Sequence, residues 1–391
     1  MFQRQLTVVL QQRAAKIPVI AILGPRQSGK TTLAKLTFPQ YTYVSLENHD
    51  QRELALHDPR GFLAKCDNGL GMILDEIQHA PQLLSYIQTL VDEQPRPGYI
   101  VLTGSQNILV NQAITQSLAG RITILTLLPL SIAEFKANNL LPKLLEIPTV
   151  KGGYPRIYAD DLDYHTWYLD YVEAYVERDV RQVGEIINRS AFKRFIRLCA
   201  GRTGQLLNVA SLAVDCGIDQ RTAKQWLSIL EASYIIFLLQ PHYKNFNKRL
   251  IQSPKLYFYD TGLACALLGI KTVGELDTHY LRGGLVENLI ISELFKHYYN
   301  QGERPDQLYF WRNQTGHEID CVLEKRGQLI PIEIKSGQTI NRSFFKGLDY
   351  WRQLTGAPEY PGYLIYGGTD NLNFLNYKIV SWQDLEQIFT D

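Results

Sequence analysis

Apolar and polar residues follow two periods along this chain. VIAIL (19–23) is an unbroken apolar run between Pro18 and Gly24, as expected of a strand buried on both faces. YTYVSL (41–46), GMIL (71–74), YIVLTG (99–104) and RITILTL (121–127) have similar form, with apolar helical patterns between them. This alternation predicts an α/β unit: a mostly parallel sheet with helices on both faces.

The pattern changes after residue 140. GGYP (152–155) leads into a helix carrying Tyr164, Trp167, Tyr168, Tyr171 and Tyr175 at three- and four-residue spacing, a core stripe. LLNVASLAVDCGI predicts a helix ending in a turn at Gly217, and DQRTAKQWLSILEAS a second helix capped by Asp219. YIIFLLQP and KLYFYD then read as two strands joined by a basic loop, the order of a winged helix. Residues 276–391 return to α/β, with a helix from Gly284, strands at 308–312, 319–324, 329–334 and 362–366, and a helix between the last two. The chain therefore divides into an α/β core (1–140), a helical and winged-helix middle (141–275) and a C-terminal α/β domain (276–391).

A chain of 391 residues is long enough for two or three cores. No apolar run approaches the ~18 residues that span a bilayer, and the N-terminus has no cleavable leader pattern, so a cytoplasmic protein without membrane partners is expected. Five widely spaced cysteines without a CxxC pair predict a reduced compartment and no zinc site. The net charge of +1 gives no global pull toward nucleic acid. The local exception is Arg181, Arg189, Lys193, Arg194, Arg197 and Arg202, which reads equally as a DNA-facing surface or a solvated helix face. In the winged-helix segment, Arg221 and Lys224 on the second helix and Lys244, Lys248 and Arg249 in the wing occupy positions that meet DNA in such folds.

GPRQSGKT (24–31) satisfies the phosphate-binding pattern G-x-x-x-x-G-K-[ST], directly after a strand and opening a helix. Gly24 and Gly29 let backbone N–H groups turn inward, with Pro25, Arg26, Gln27 and Ser28 forming the loop between them. Lys30 would neutralise phosphate, Thr31 would ligate Mg²⁺, and Thr32 continues the helix whose N-terminal end faces the anion. MILDE (72–76) ends a buried strand on two carboxylates: Asp75 for the Mg²⁺ shell and Glu76 as general base toward water. LTGSQN (102–107) offers Ser105, Gln106 or Asn107, with Asn107 preferred, to orient that water. Arg121 could stabilise transition-state charge in cis or from a neighbouring copy in a homo-oligomer, or could cap a helix and pack on the surface.

With these motifs in order, the chain resembles the AAA-type ATP-binding proteins of bacteria and archaea that carry an uncharacterised C-terminal domain similar to restriction nucleases. The resemblance rests on GPRQSGKTTL, LDEIQ, LTGS, LAGR followed by LPLSIAEF, GGYP, YVERDV, KLYFYDTGL, GHEIDCVL and PIEIKSG. It implies that Lys30, Thr31, Asp75 and Glu76 serve ATP and that Arg121 fills a recurrent arginine position. EID (318–320) and EIK (333–335) lie on adjacent predicted strands, where pairing would bring Asp320, Glu333 and Lys335 together. That is the layout of a PD-(D/E)xK nuclease, with Asp320, Glu333 and the Ile334 carbonyl on Mg²⁺ or Mn²⁺ and Lys335 toward water; Glu287 is similar to the helical carboxylate that completes such sites. Two functions fit: an ATP-driven motor or switch acting on DNA with a metal-dependent nuclease, or a nucleotide-controlled switch whose C-terminal domain only docks.

Overall fold

The computed structural model describes residues 1–105, 117–176, 189–242, 252–356, 362–374 and 376–390, without the side chains of 175 and 176. Strands β1 (Val19–Leu23), β2 (Thr42–Ser45), β3 (Met72–Asp75), β4 (Ile100–Gly104) and β5 (Ile122–Thr126) form one parallel sheet in the order β2-β3-β4-β1-β5. Alternation along β1 makes it two-sided. Val19, Ala21 and Leu23 pack with Phe62, Leu84 and Ile87 on one face. Ile20 and Ile22 pack with Leu6, Leu10 and Leu33 on the other.

The middle segment has the predicted helix order. Val209–Cys216 ends on Gly217 in the left-handed conformation at φ 71°. Gln220–Ala232 is capped by Asp219, whose side chain accepts from the Thr222 N–H. Strands β6 (Ile236–Leu239) and β7 (Lys255–Phe258) pair antiparallel. Lys244, Lys248 and Arg249 of the predicted wing lie outside the described residues, as does Arg181. Of the aromatic stripe, Trp167, Tyr168 and Tyr171 pack into the core, with Tyr154 against Trp167 and Tyr171 at centroid distances of 5.0 Å; the Tyr175 side chain lies outside the described residues. KLYFYD ends on Asp260, which is buried and accepts from Gly153 N (2.7 Å), the Tyr168 hydroxyl (2.6 Å) and Leu263 N (3.1 Å). Gly152, at φ 66°, must be glycine, because a Cβ there would lie 2.0 Å from the Tyr168 hydroxyl.

The C-terminal segment is a six-stranded mixed sheet, β12-β13-β11-β10-β9-β8, using β8 (Leu308–Arg312), β9 (Glu318–Lys325), β10 (Gln328–Lys335), β11 (Gly362–Tyr366), β12 (Leu372–Phe374) and β13 (Tyr377–Ser381). The last two strands are additions to the sequence prediction; three exposed residues in β12 give no periodic signal. Helix Arg282–Asn300 crosses between this sheet and both preceding segments. One hydrophobic core contains Leu74, Tyr257 and Ile332 together, so the three segments share an interior. No helix among the described residues is long and apolar enough to cross a membrane.

Asp260→Ala would take the acceptor from two buried backbone donors, Gly153 N and Leu263 N, and leave the Tyr168 hydroxyl only its longer bond to the Lys151 carbonyl at 3.2 Å. It should lower unfolding free energy by about 3 kcal/mol, read as a shifted urea midpoint at unchanged slope. A loss below about 1 kcal/mol would show that the GGYP turn does not depend on this carboxylate.

Candidate functional site

The loop after β1 is held open from behind. Gly24 sits at φ 150°, and a Cβ there would come within 2.1 Å of the Leu127 carbonyl. Gln27, at φ 63°, is a non-glycine residue in the left-handed region, and Gly29 at φ 95° precedes helix Lys30–Thr37. Buried Arg4 donates to the Ser28 carbonyl (2.7 Å) and the Leu128 carbonyl (2.6 Å), and pairs with buried Glu134 at 2.9 Å. Glu134 also closes a capping box with Ser131. The Ser28 hydroxyl is buried without a hydrogen-bond partner among the described residues. Pro25 and Arg26 are buried, Gln27 is half-buried, and Thr32 is exposed.

At the mouth, the Lys30 ammonium folds back to the Pro25 carbonyl at 2.8 Å. The Thr31 hydroxyl donates to Asp75 Oδ1 at 2.7 Å, and the Tyr43 phenol donates to Asp75 Oδ2 at 2.9 Å. Burial and the Asp75 charge push the Tyr43 phenol up to about 12. Thr103 also donates to Asp75. Glu76 adopts a left-handed backbone, φ 57°, and its carboxylate accepts from Gln78 and from Ser105 at 3.2 Å. Burial would raise the Glu76 carboxyl, but Lys30, Gln78, Arg26 and Ser105 together bring it below the usual value. Arg26 pairs with Glu47 at 3.5 Å, and its carbonyl accepts from Tyr171 at 3.4 Å, joining the aromatic stripe to the loop.

Of the remaining sequence-predicted residues, Asn107, like Gln106, lies outside the described residues, and Arg121 is not at this mouth. Arg121 sits just before β5, where its carbonyl accepts from Val19 N at the start of β1. The phosphate loop follows the other end of β1, roughly 15 Å away at the rise of a strand. Its guanidinium pairs instead with Asp92, with the second contact at 2.9 Å. Of the roles open to Arg121, the described geometry fits surface packing and does not fit a cis role: parallel pairing places it at the opposite end of the strands from the loop, paired with Asp92.

The C-terminal residues do converge, in an arrangement larger than EID plus EIK. Lys335 Nζ lies 2.6 Å from Glu333 and 3.5 Å from Asp320, and the Ile334 N–H donates to Asp320 at 2.8 Å. Oxygens of Glu287, Glu318 and Asp320 come within 4.8 Å of one another. Lys255, at the start of β7, enters this trio: it pairs with Glu287 at 2.8 Å and with Glu318. The Tyr257 hydroxyl donates to Glu287 at 2.5 Å, and Arg312 pairs with Glu318 at 3.0 Å. Burial raises the Glu287 carboxyl to about 7 against the pull of Lys255. Burial and Asp320 raise Glu333 well above the carboxylate range despite Lys335. Both lysines are raised by these carboxylates in spite of burial.

Residues 16–136 match the AAA domain family, residues 143–273 a domain of unknown function (DUF8612), and residues 282–385 a second domain of unknown function (DUF4143). Over 367 residues the chain is 30% identical to an uncharacterized protein of Mycobacterium tuberculosis, covering 92% of this chain and 80% of that protein; a Mycobacterium bovis counterpart matches equally. The chain belongs to the family of these mycobacterial proteins. An uncharacterized protein of Haemophilus influenzae is 22% identical over 248 residues, 60% of this chain and 58% of its own length. Among solved structures, the Walker-type ATPase of Pyrococcus abyssi is 17% identical, with a TM-score of 0.45 over 68% of this chain and 96% of its own. The Holliday junction branch migration motor of Thermotoga maritima is 16% identical, with a TM-score of 0.31 over 60% and 87%. The N-terminal unit is thus an AAA-type P-loop ATPase domain.

Sequence reasoning passed over Arg4, Tyr43, Gln78, Lys255 and the part played by Glu318. Lys255 had a signal, a lysine opening an otherwise apolar strand. Arg4 had none, because its partners lie 24 to 130 residues away. Arg4→Met would leave Glu134 buried without its cation and release the Ser28 carbonyl. The variant should lose about 3–5 kcal/mol of stability and bind ATP at least ~10-fold more weakly, by calorimetry on folded protein. Unaltered ATP affinity would confine Arg4 to the scaffold.

Proposed function

We propose that the chain is a Mg²⁺-dependent ATPase working as a nucleotide-controlled binding switch, with the C-terminal domain as a docking module. One observation carries the ATPase part: the Thr31 hydroxyl and the Asp75 carboxylate meet at 2.7 Å, beside Lys30 and Glu76 at one loop mouth. Two hard oxygen donors fit Mg²⁺, whose chemistry is to neutralise and orient the β- and γ-phosphates. Gly24 through Gly29 supply inward N–H groups, and Lys30 exchanges the Pro25 carbonyl for phosphate. Glu76, ionised at neutral pH, takes the proton of the attacking water, with Gln78 and Ser105 holding its carboxylate in place. Tyr171 on the Arg26 carbonyl gives the middle segment a direct contact with the loop that senses nucleotide. Arg121 can reach a nucleotide only on a neighbouring copy, so its catalytic role requires a homo-oligomer.

Lys255 favours docking over cleavage. Its ammonium occupies the space between Glu287 and Glu318, so a middle-segment side chain already supplies the positive charge that this trio needs. A second reading, a metal-dependent nuclease acting on DNA, draws on the 4.8 Å spacing of Glu287, Glu318 and Asp320. It also draws on the exposed Arg189, Arg194, Arg197, Arg221 and Lys224 of the winged-helix-like segment. Oxygen ligands alone would suit Mg²⁺ or Mn²⁺, with Lys335 beside them.

Lys30→Ala should abolish productive ATP binding, and Glu76→Gln should bind ATP while turning it over at least ~100-fold more slowly. Wild-type turnover in both variants would remove the ATPase assignment. Titration of Mn²⁺ separates the C-terminal alternatives. The docking account expects a parent Kd weaker than about 1 mM, and a stability loss of about 3–5 kcal/mol in Lys255→Ala, where three carboxylates face one another. Tight Mn²⁺ binding that Asp320→Ala and Glu333→Ala both destroy would establish the nuclease-like centre instead.

A further inference from the structure

A cavity of about 610 Å³ lies where all three segments meet, away from both sites described above. Thr126 of β5 reaches it from the ATPase unit, Glu231 and Tyr234 from the middle, and Tyr299 from helix Arg282–Asn300. Its walls are aromatic and buried: Tyr234, Phe237 and Tyr259 are each at most 6% exposed. Phe237 and Tyr259 lie 4.7 Å apart between centroids, and the Tyr259 and Tyr299 hydroxyls are 3.4 Å apart. The volume falls within the range of small-molecule sites.

The charge inside this aromatic box is unbalanced. Glu231, at the end of helix Gln220–Ala232, has no hydrogen-bond or ion-pair partner for its carboxylate among the described residues. A half-buried acid is ordinarily paired, because desolvation penalises its charged form. Burial alone lifts this one to about 7. Tyr259 is the other titratable group it acts on. The remaining charges, Glu303, Arg304 and Asp306, stand exposed on the rim and sum to one negative charge. Aromatic faces and an unpaired carboxylate attract the same kind of ligand, since ring quadrupoles and carboxylates both favour positive charge.

We propose that this cavity binds a small organic cation, a protonated amine or guanidinium, with Glu231 as its counter-ion and Tyr234, Phe237 and Tyr259 as its walls. An anion is disfavoured, because among the described lining residues the exposed Arg304 is outweighed by Glu231, Glu303 and Asp306. A neutral apolar ligand would leave Glu231 unpaired. The proposal is independent of ATP hydrolysis and of the fate of the C-terminal carboxylates.

The test is calorimetric titration of the full chain with phenethylamine and agmatine, and with neutral 2-phenylethanol as control. At pH 8 at least one amine should bind with a Kd between about 10 μM and 1 mM, and the alcohol at least ~10-fold more weakly. Lowering the pH to 6 should weaken the amine about tenfold, because Glu231, titrating near 7, takes up a proton that competes with the ligand. Glu231→Gln should abolish this pH dependence and weaken amine binding at least ~10-fold. It should also melt at or above the parent temperature at pH 8, since an amide costs less to bury than a carboxylate. Tyr234→Leu, which removes one wall, should weaken the amine with Glu231 intact. Equal binding of amine and alcohol, indifference to Glu231→Gln, or absence of binding by both amines would each overturn the proposal.

Discussion

Four polar side chains on one helix bind the three segments together, and each obtains its partner from another segment. Glu287 meets Lys255 and Tyr257. Asn288, fully buried, accepts from Thr203 (2.5 Å) and Phe258 N (2.8 Å) and donates to the Phe258 carbonyl (2.6 Å). Glu293 accepts from Ile132 N at 2.6 Å, and Lys296 donates to the Leu130 carbonyl at 3.1 Å. Buried polar groups are tolerated only when satisfied, so the ATPase unit and the middle segment must both be seated on this helix. The shared hydrophobic core is the apolar counterpart of the same constraint.

This arrangement gives the nucleotide loop two scaffolds. Arg4 and Glu134 hold it from within the ATPase unit, while Tyr171 touches it from the middle segment. Ser131, whose hydroxyl caps Glu134, begins the turn whose next residue, Ile132, bonds to Glu293 on the long helix. A short chain of buried contacts thus runs from the loop to the C-terminal domain. In the proposed switch, rigid packing along this chain would be the route by which occupancy at the loop reaches the surface that the other segments present.

The two acidic centres differ in how their charge is compensated. Asp75 accepts only from hydroxyls among its described side-chain partners, Thr31, Tyr43 and Thr103, an environment ready for a cation. Glu287, Glu318, Asp320 and Glu333 are interleaved with Lys255, Lys335 and Arg312, which leaves far less unneutralised charge. Burial lifts the Glu287 and Glu333 carboxyls in opposition to those cations.

The sequence by itself determined the elements and the local chemistry. Unbroken apolar runs mark β1, β3 and β4, because a strand buried on both faces has no polar positions to spare. GPRQSGKT and MILDE carry their site in contiguous residues, so spacing alone assembles it once a strand precedes and a helix follows. The paired strands holding Asp320, Glu333 and Lys335 were legible for the same reason, since a period of two fixes which side chains share a face. Tertiary structure decided the rest. For Arg121 the sequence left a role in cis, a role from a neighbouring copy and a surface role open, and the parallel register of β1 and β5 puts it at the end of the strands opposite the loop. Arg4, Lys255 and the cavity around Glu231 join residues far apart in the chain, and no local period records such meetings. Arg4 finds Ser28, Leu128 and Glu134 within the ATPase unit, while helix Arg282–Asn300 brings Glu287 to Lys255 and Tyr299 to the cavity, meetings between distant residues that only the folded chain can make.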